Sequence, residues 1–443
     1  MFDTVSLDEG RGALAIIDQT LLPNREELIY LTEPEEIRDA IYRLKVRGAP
    51  AIGVAAAIGY YLAAEAIARE LAASGGADGV SGSPSGGAGR TLTGSAVGSA
   101  AGGASGSQAN NAAGFPANGA GGVPVSGACA SRLDLFFTKL GAAKDLLNSA
   151  RPTAVNLSWA LNRMERAALN RATPSDKGEE SLSVDIGADR GVESLPADRG
   201  ADRGEESLLA IVARLKTECL AIADEDARVC AEIGRRGLEL LKPGMGLLTH
   251  CNAGRLATAS RYGTATAPIY LGHERGYGFQ VFCDETRPLL QGARLTAYEL
   301  CSAGVDTTLL CDNMAPSLMS AGRIDAVLVG CDRVAANGDT ANKIGTSYVA
   351  IAARHYGIPF YVCAPSSTID FTCAGGQSIV IEQRPAAEVT DMWYADRMAP
   401  ENAKVFNPAF DVTDANLITA IVTEYSVARP PYRESLAALI NKR

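Results

Sequence analysis

Histidine is scarce in this 443-residue chain: His250, His273 and His355 are the only three. A protein-built metal cage or a Ser/His/Asp triad draws on histidine, so neither has much to be built from, and no metal is expected. There are ten cysteines but no Cys-x-x-Cys pair; they stand singly, several inside apolar runs such as 281–283 and 361–363. That usage fits reduced core thiols in a reducing compartment. An excess of basic charge is also lacking. The net charge is −10 and the pI about 5.1, which argues against general nucleic-acid binding, where a basic surface must displace counterions. The first residues offer neither a basic nor an apolar leader region, so no secretion signal is expected. The longest apolar run starts at Ala51 and meets its first charge at Glu65. That is short of the roughly 18–20 residues a bilayer requires, and it reads as a buried helix with no membrane partner. Neither a Gly-x-Gly-x-x-Gly after a strand nor a phosphate-binding Gly-x-x-x-x-Gly-Lys-Ser/Thr loop occurs, so no nucleotide or dinucleotide cofactor is indicated.

What is present suffices for two domains with real cores: 443 residues, 47% of them hydrophobic. Two segments read as insertions. Residues 74–130 are mostly Gly, Ala, Ser and Asn, with Asp78 and Arg90 the only charges; such a stretch cannot bury enough apolar surface to offset its ordering entropy. Residues 173–206 repeat Ala-Asp-Arg-Gly and Glu-Ser-Leu too irregularly for a solenoid and read as polar linker. Around them the pattern is helical. Thr32 with Glu35 makes a capping-box pattern ahead of Ile37, Ile41 and Leu44 on one face. Gly48 and Pro50 break the chain before an apolar helix from Ala51, and 133–147, 158–169 and 208–241 continue the helical spacing.

From Gly244 short apolar runs alternate with helical segments: 246–249, 280–283, 307–311, 326–329 and 360–363. The alternation predicts an α/β fold, a parallel sheet in the C-terminal part preceded by a mainly helical N-terminal part. The division falls at 1–240 and 241–443. Polar, reactive residues follow the strand runs, and the carboxyl edge of an open α/β sheet is where ligands bind. Two of them attract a chemical reading. Cys251 follows a strand, where a helix N-terminus or Arg255 would favour its thiolate for acid, base or nucleophilic work; the bland alternative is one more core thiol. Asp332, after another strand, suits a general acid if partly buried, the alternative being a helix cap or an ion pair with Arg333. Arg47-Gly48-Ala49-Pro50 is a small-residue turn into a helix start, suited to an anion, and Arg151 and Asn342-Lys343 offer similar chemistry.

Together these segments resemble the methylthioribose-1-phosphate isomerase family, in the superfamily that also holds regulatory subunits of a translation-initiation exchange factor. The resemblance rests on residues 47–53, 151–157, 249–254, 284–288, 291–296, 330–339, 342–346 and 407–413, in that order. It covers nearly everything outside the two insertions; 255–278 is longer than the family pattern. The resemblance implies a helical N-terminal domain, a Rossmann-like C-terminal domain, a cleft between them, a homodimer and no cofactor. By position the catalytic thiol falls on Cys251 and the catalytic carboxylate on Asp332. Contacts to a sugar-phosphate substrate fall on Arg47, Gly48, Ala49, Arg151, Gln291, Asn342 and Lys343; Gln291 enters only through the resemblance. The implied reaction is the isomerisation of 5-methylthioribose 1-phosphate to 5-methylthioribulose 1-phosphate in methionine salvage. A ribose-1,5-bisphosphate isomerase and a non-catalytic regulatory subunit are the rival readings. Cytoplasm is the expected location, with the nucleus as an alternative.

Overall fold

The computed structural model describes residues 3–74, 131–151, 154–170 and 207–440. Apart from Ser74, the two expected insertions lie outside the described residues.

The chain opens with a three-stranded antiparallel sheet, β1 (Val5–Asp8), β2 (Ala13–Ile17) and β3 (Leu28–Leu31), in that spatial order. The helical reading of the N-terminal region missed it. Helix α1 (Pro34–Tyr42) follows. Its cap is Glu33, with the reciprocal box closed by Glu36, not the Thr32–Glu35 pair expected. Pro34 decides the register, because proline suits the first helical position, where its missing N–H costs nothing. Leu44 lies beyond the helix in the left-handed region, φ 62°.

Helix α2 (Ala49–Ser74) begins two residues earlier than expected, with Pro50 in its first turn. At 26 residues it is long and apolar enough to cross a membrane by length and composition, but 83% of its apolar window is buried inside the protein. Its apolarity on all sides is that of a core helix. It packs against α3 (Arg132–Asn148), α4 (Val155–Ala168) and the 31-residue α5 (Leu208–Leu238). These helices and the first sheet share one hydrophobic core, which includes Leu14, Ile52, Phe136, Leu161 and Leu215.

Strand β4 (Gly246–Thr249) then starts a seven-stranded sheet. Along the chain come α6 (Ala267–Glu274), β5 (Gln280–Asp284), a π-turn over Gly292–Thr296, α7 (Ala297–Ser302), β6 (Asp306–Leu310), α8 (Ala315–Ser320) and β7 (Ala326–Val329). Next are β8 (Arg333–Ala335), β9 (Thr340–Lys343), α9 (Thr346–His355), β10 (Phe360–Cys363), β11 (Ile369–Asp370) and α10 (Ala387–Thr390). The chain ends through β12 (Phe410–Thr413), β13 (Ala420–Val422), β14 (Val427–Ala428) and α11 (Tyr432–Ile440).

The large sheet runs β14-β13-β10-β7-β4-β5-β6, parallel except for the hairpin strand β14. All five strand runs read from the sequence lie in it. Successive residues alternate between its two faces. Leu248, Phe282, Val327 and Val362 enter one core, and Leu247, Val281, Leu328 and Tyr361 the other. Cys283 and Cys363 are buried there, and burial pushes both thiols up, as befits core cysteines. All nine described cysteines are free. A smaller mixed sheet, β11-β8-β9-β12, lies beside the large one.

The strand order locates the site. From β4 the chain moves outward to β5 and β6, then returns to place β7 on the other side of β4. Between β4 and β7 the winding reverses, and the loops leaving their carboxyl ends diverge to leave a crevice.

Candidate active site

Cys251 lies two residues after β4, and Asp332 three residues after β7. The two chemically notable residues therefore flank the switch point. One cleft, about 820 Å³ including its open mouth, is lined by both of them and by Arg47, Gly48, Ala49, Arg151, Gln291, Asn342 and Lys343. Every site residue expected from the sequence is thus brought to a single cavity.

Cys251 has φ 63°, a conformation costly for a residue with a Cβ. It is held there from both sides. Its N–H donates to Thr286 Oγ1 at 2.8 Å, and its carbonyl accepts from Thr296 Oγ1 at 2.6 Å. Thr286 and Leu290, both near the cleft, also have positive φ, as does the cleft-lining Leu44. Four of the five non-glycine residues with positive φ among those described therefore cluster at this site, and such strain persists only where the surroundings enforce it.

The guanidinium that reaches the thiol is that of Arg47, with Nη1 4.0 Å from Sγ, rather than that of Arg255 as the sequence suggested. Arg47 Nη2 donates to both the carbonyl and the side-chain oxygen of Asn252, each at 2.6 Å. Asn252 in turn donates to Thr296 Oγ1 and to the buried Glu299. This chain of bonds orients Arg47 across the seam between the N-terminal helices and the sheet. The turn behind it admits nothing larger than glycine: Gly48 has φ 92°, and a Cβ there would lie 2.5 Å from the Cα and carbonyl oxygen of Ala257. The N-terminus of α2 comes next, and its Ala49 and Pro50 line the cleft.

Asp332 is half-buried, its N–H donating to the Ala341 carbonyl at 3.0 Å. Arg333 pairs instead with Asp370, at 3.5 Å, so the ion-pair alternative for Asp332 does not apply. Burial pushes the Asp332 carboxyl up. Lys343, Arg151 and Arg47 pull it down, Glu382 pushes with burial, and the net direction is up. Lys343 moves down for the same dominant reason, burial, with Arg151 and Arg47 adding like-charge repulsion against the pull of Cys251 and Asp332. Its ammonium lies over the Phe410 ring, 4.8 Å from the centroid. Asn342 is oriented by a bond to Thr346 Oγ1, and Gln291 leaves its buried Oε1 without a partner.

Two cleft residues had no signal in the sequence. Glu382 lies 3.8 Å from Arg151 Nη2 and 2.9 Å from Arg384 Nη1, and Arg384 is also paired with Glu388. They come from a segment remote in sequence, on no periodic element. His250, Asp284 and Asp312 also converge, their ligand atoms within 4.8 Å. As a metal centre the group fits poorly. Both ring nitrogens of His250 are engaged, with Asp284 and with the Ile344 carbonyl, and both oxygens of Asp312 accept backbone N–H groups of Thr286 and Arg287.

The Initiation factor 2 subunit family matches residues 126–430. A methylthioribose-1-phosphate isomerase of Symbiobacterium thermophilum is 52% identical over 442 residues, spanning 100% of this chain and 97% of that protein. A 5-deoxyribose 1-phosphate isomerase of Petrotoga mobilis is 46% identical over 435 residues, 98% of each chain. Among solved structures, a 5-methylthioribose 1-phosphate isomerase from Pyrococcus horikoshii superposes with a TM-score of 0.73 at 32% identity, covering 100% of this chain and 97% of that one. A translation initiation factor eIF-2B subunit delta from A. fulgidus superposes with a TM-score of 0.69 at 33% identity, covering 99% and 100%.

Proposed function

We propose, since this chain belongs to the Initiation factor 2 subunit family and carries a thiol and a carboxyl across one cation-lined cleft, that it is an aldose–ketose isomerase. Its substrate is 5-methylthioribose 1-phosphate and its product 5-methylthioribulose 1-phosphate, a step of methionine salvage. The observation that carries the reading is the placement of Cys251 and Asp332 at the two strand ends flanking the switch point, with Arg47, Arg151 and Lys343 around them. The relatives' names support the same reaction.

The chemistry follows from the substrate. A phosphate on C1 blocks ordinary ring opening, because no free hydroxyl remains there. The ring oxygen must be protonated as its bond to C1 breaks, hydrogen must then pass from C2 to C1, and the C2 hydroxyl must lose its proton to become the ketone. Asp332, pushed toward its neutral form by burial, is the acid for the ring oxygen and afterwards takes the hydroxyl proton. Cys251 serves the C1/C2 transfer, either relaying a proton through an enediolate or lining a direct hydride shift. The three cations and the α2 N-terminus hold the phosphate, giving orientation and charge stabilisation. The enzyme works in the cytoplasm as a homodimer, with the cleft between the helical domain (1–240) and the Rossmann-like domain (241–443). The relatives lend no support to a nuclear location.

The far end of the sugar decides among substrates. Leu44, Pro50, Leu289 and Phe410 give the cleft apolar wall, suited to a methylthio group. A second phosphate would need a free cation, and the additional one, Arg384, is neutralised by Glu382 and Glu388. The test is turnover by purified protein of 5-methylthioribose 1-phosphate, 5-deoxyribose 1-phosphate and ribose 1,5-bisphosphate, with ketose formation followed by NMR. Preference for the first is expected, and Cys251→Ala should abolish turnover while substrate still binds. Preference for the second keeps the reaction and changes the substrate. Inertness towards all three leaves the regulatory-subunit reading.

A further inference from the structure

His250 sits immediately before Cys251 and is 1% exposed. Its ring faces two acceptors. Nδ1 is 3.0 Å from Asp284 Oδ2, and Nε2 is 2.9 Å from the Ile344 carbonyl oxygen. A carbonyl can only accept, so Nε2 carries a hydrogen; burial pushes the Asp284 carboxyl up while the bond and charge of His250 pull it down, and in its ionised form it calls for a second hydrogen, at Nδ1. A ring with hydrogen on both nitrogens is an imidazolium. Burial by itself lowers the pKa of such a ring, but the hydrogen bond and charge of Asp284, the charge of Asp312 and the Ile344 carbonyl outweigh it, and the net direction is up. Asp411, whose carboxylate accepts from the N–H groups of Gly345 and Ser347, adds a further negative charge on the side of α9.

The two bonds join different parts of the site. Asp284 ends β5 in the large sheet, beside the strand that leads to Cys251. Ile344 follows β9 of the small sheet, directly after Asn342 and Lys343. The turn is seated on the ring: Gly345 has φ 101°, and a Cβ there would lie 2.8 Å from His250 Cε1. We infer that His250 is a positioning residue for the proposed isomerase reaction, carried as an imidazolium that clamps the strand end bearing Cys251 to the turn bearing Asn342 and Lys343. The inference rests on the isomerase reading. It assigns His250 no proton transfer, because both hydrogens are committed to structure. A misplacement of about 1 Å between reacting groups costs roughly 100-fold in rate, which is the scale on which such a clamp acts.

Two measurements on the full-length protein test it. The first is the 15N spectrum of protein labelled in its three histidines, assigned by loss of one ring system in His250→Gln. One ring should show both nitrogens protonated at neutral pH; a bare Nδ1 or Nε2 on that ring there overturns the clamp. The second is a double-mutant cycle on kcat/KM for the converted pentose 1-phosphate. His250→Gln, which can donate from only one end, should lower kcat/KM about 30-fold. With Lys343→Ala already present it should cost no more than about 3-fold, because the turn it positions has lost its charged contact. A merely structural loss would be additive, and additivity overturns the proposal. Wild-type protein inert towards every pentose 1-phosphate would instead sink the isomerase reading, while the nitrogen spectrum would still decide the charge state of the ring.

Discussion

Asp332→Asn separates acid chemistry from shape at the site. The carboxyl is pushed up by burial against the combined pull of Lys343, Arg151 and Arg47. Those three cations are the ones proposed to hold the substrate phosphate, so substrate binding neutralises what holds the carboxyl down. A unit charge at roughly 8 Å is worth about 2 kcal/mol at an effective dielectric near 20, equivalent to about one pH unit or more. The alkaline limb of kcat, which reports the bound enzyme, should therefore lie about one unit above that of kcat/KM, which reports the free enzyme. The sign is fixed by the role: the acid form is active, so rate falls as pH rises through the raised value. Asparagine keeps the size and a hydrogen-bond donor but cannot give up a proton, so kcat should fall by about 100- to 10,000-fold while substrate affinity changes little. The assay is initial-rate kinetics across pH by NMR or a coupled ketose reaction, with 31P titration of the substrate to subtract its own ionisation. An asparagine variant retaining more than a tenth of the wild-type kcat would refute the assignment. So would a kcat limb at lower pH than that of kcat/KM.

Gly48→Ala forces a Cβ to within 2.5 Å of the Ala257 backbone at φ 92°, and should cost about 2–5 kcal/mol in urea unfolding together with at least tenfold in kcat/KM; unchanged values would show that the Arg47 turn tolerates movement. At Cys251, φ 63° predicts that Cys251→Gly is more stable than Cys251→Ala by about 0.5–1.5 kcal/mol, although glycine usually destabilises; the opposite order in chemical denaturation would remove the claim of strain. Burial raises the carboxyls of Asp226 and Glu299 to about 7. The folded state thus keeps protons that the unfolded chain releases above about 4, and their contribution to stability is full below that pH and lost as pH rises to about 7. Glu299→Gln should flatten the stability–pH slope between about 5 and 7 by up to about 1.4 kcal/mol per unit; an unchanged slope, measured by denaturation at each pH, would contradict the burial argument.

The sequence made the large sheet readable because its strands are short, fully buried and bounded by turns, a pattern that parallel packing under helices demands. It made Cys251 and Asp332 readable for the same reason: residues just past the carboxyl end of a parallel strand face the ligand edge. The N-terminal sheet was not readable. Ala13–Ile17 is buried along its whole length, so no alternation marks it as a strand, and the helical spacing after it dominates the window. The one-residue shift of the α1 cap arose because Thr32 and Glu33 both have an acid three positions on, and only Pro34 separates them. Glu382 and Glu299 could not be found from sequence. Each matters through contacts with residues more than 40 positions away, Glu299 with Asn252 and Glu382 with Arg151, and neither lies in a local pattern that points there.

The fold by itself does not choose between an enzyme and a factor subunit, since this chain superposes well on solved examples bearing each name. What separates them is where the chain spends stability. A non-glycine residue at φ 63° costs about 1–3 kcal/mol, and Cys251 is kept there by two threonine hydroxyls, with Arg47 aimed at its thiol. A carboxyl is set under burial among three cations that would favour its charged form, and it still moves toward the neutral one. Both arrangements work against folding, and a surface that only docks a partner has use for neither. A reaction that must first protonate a ring oxygen and then move hydrogen between adjacent carbons has use for both in the same cleft.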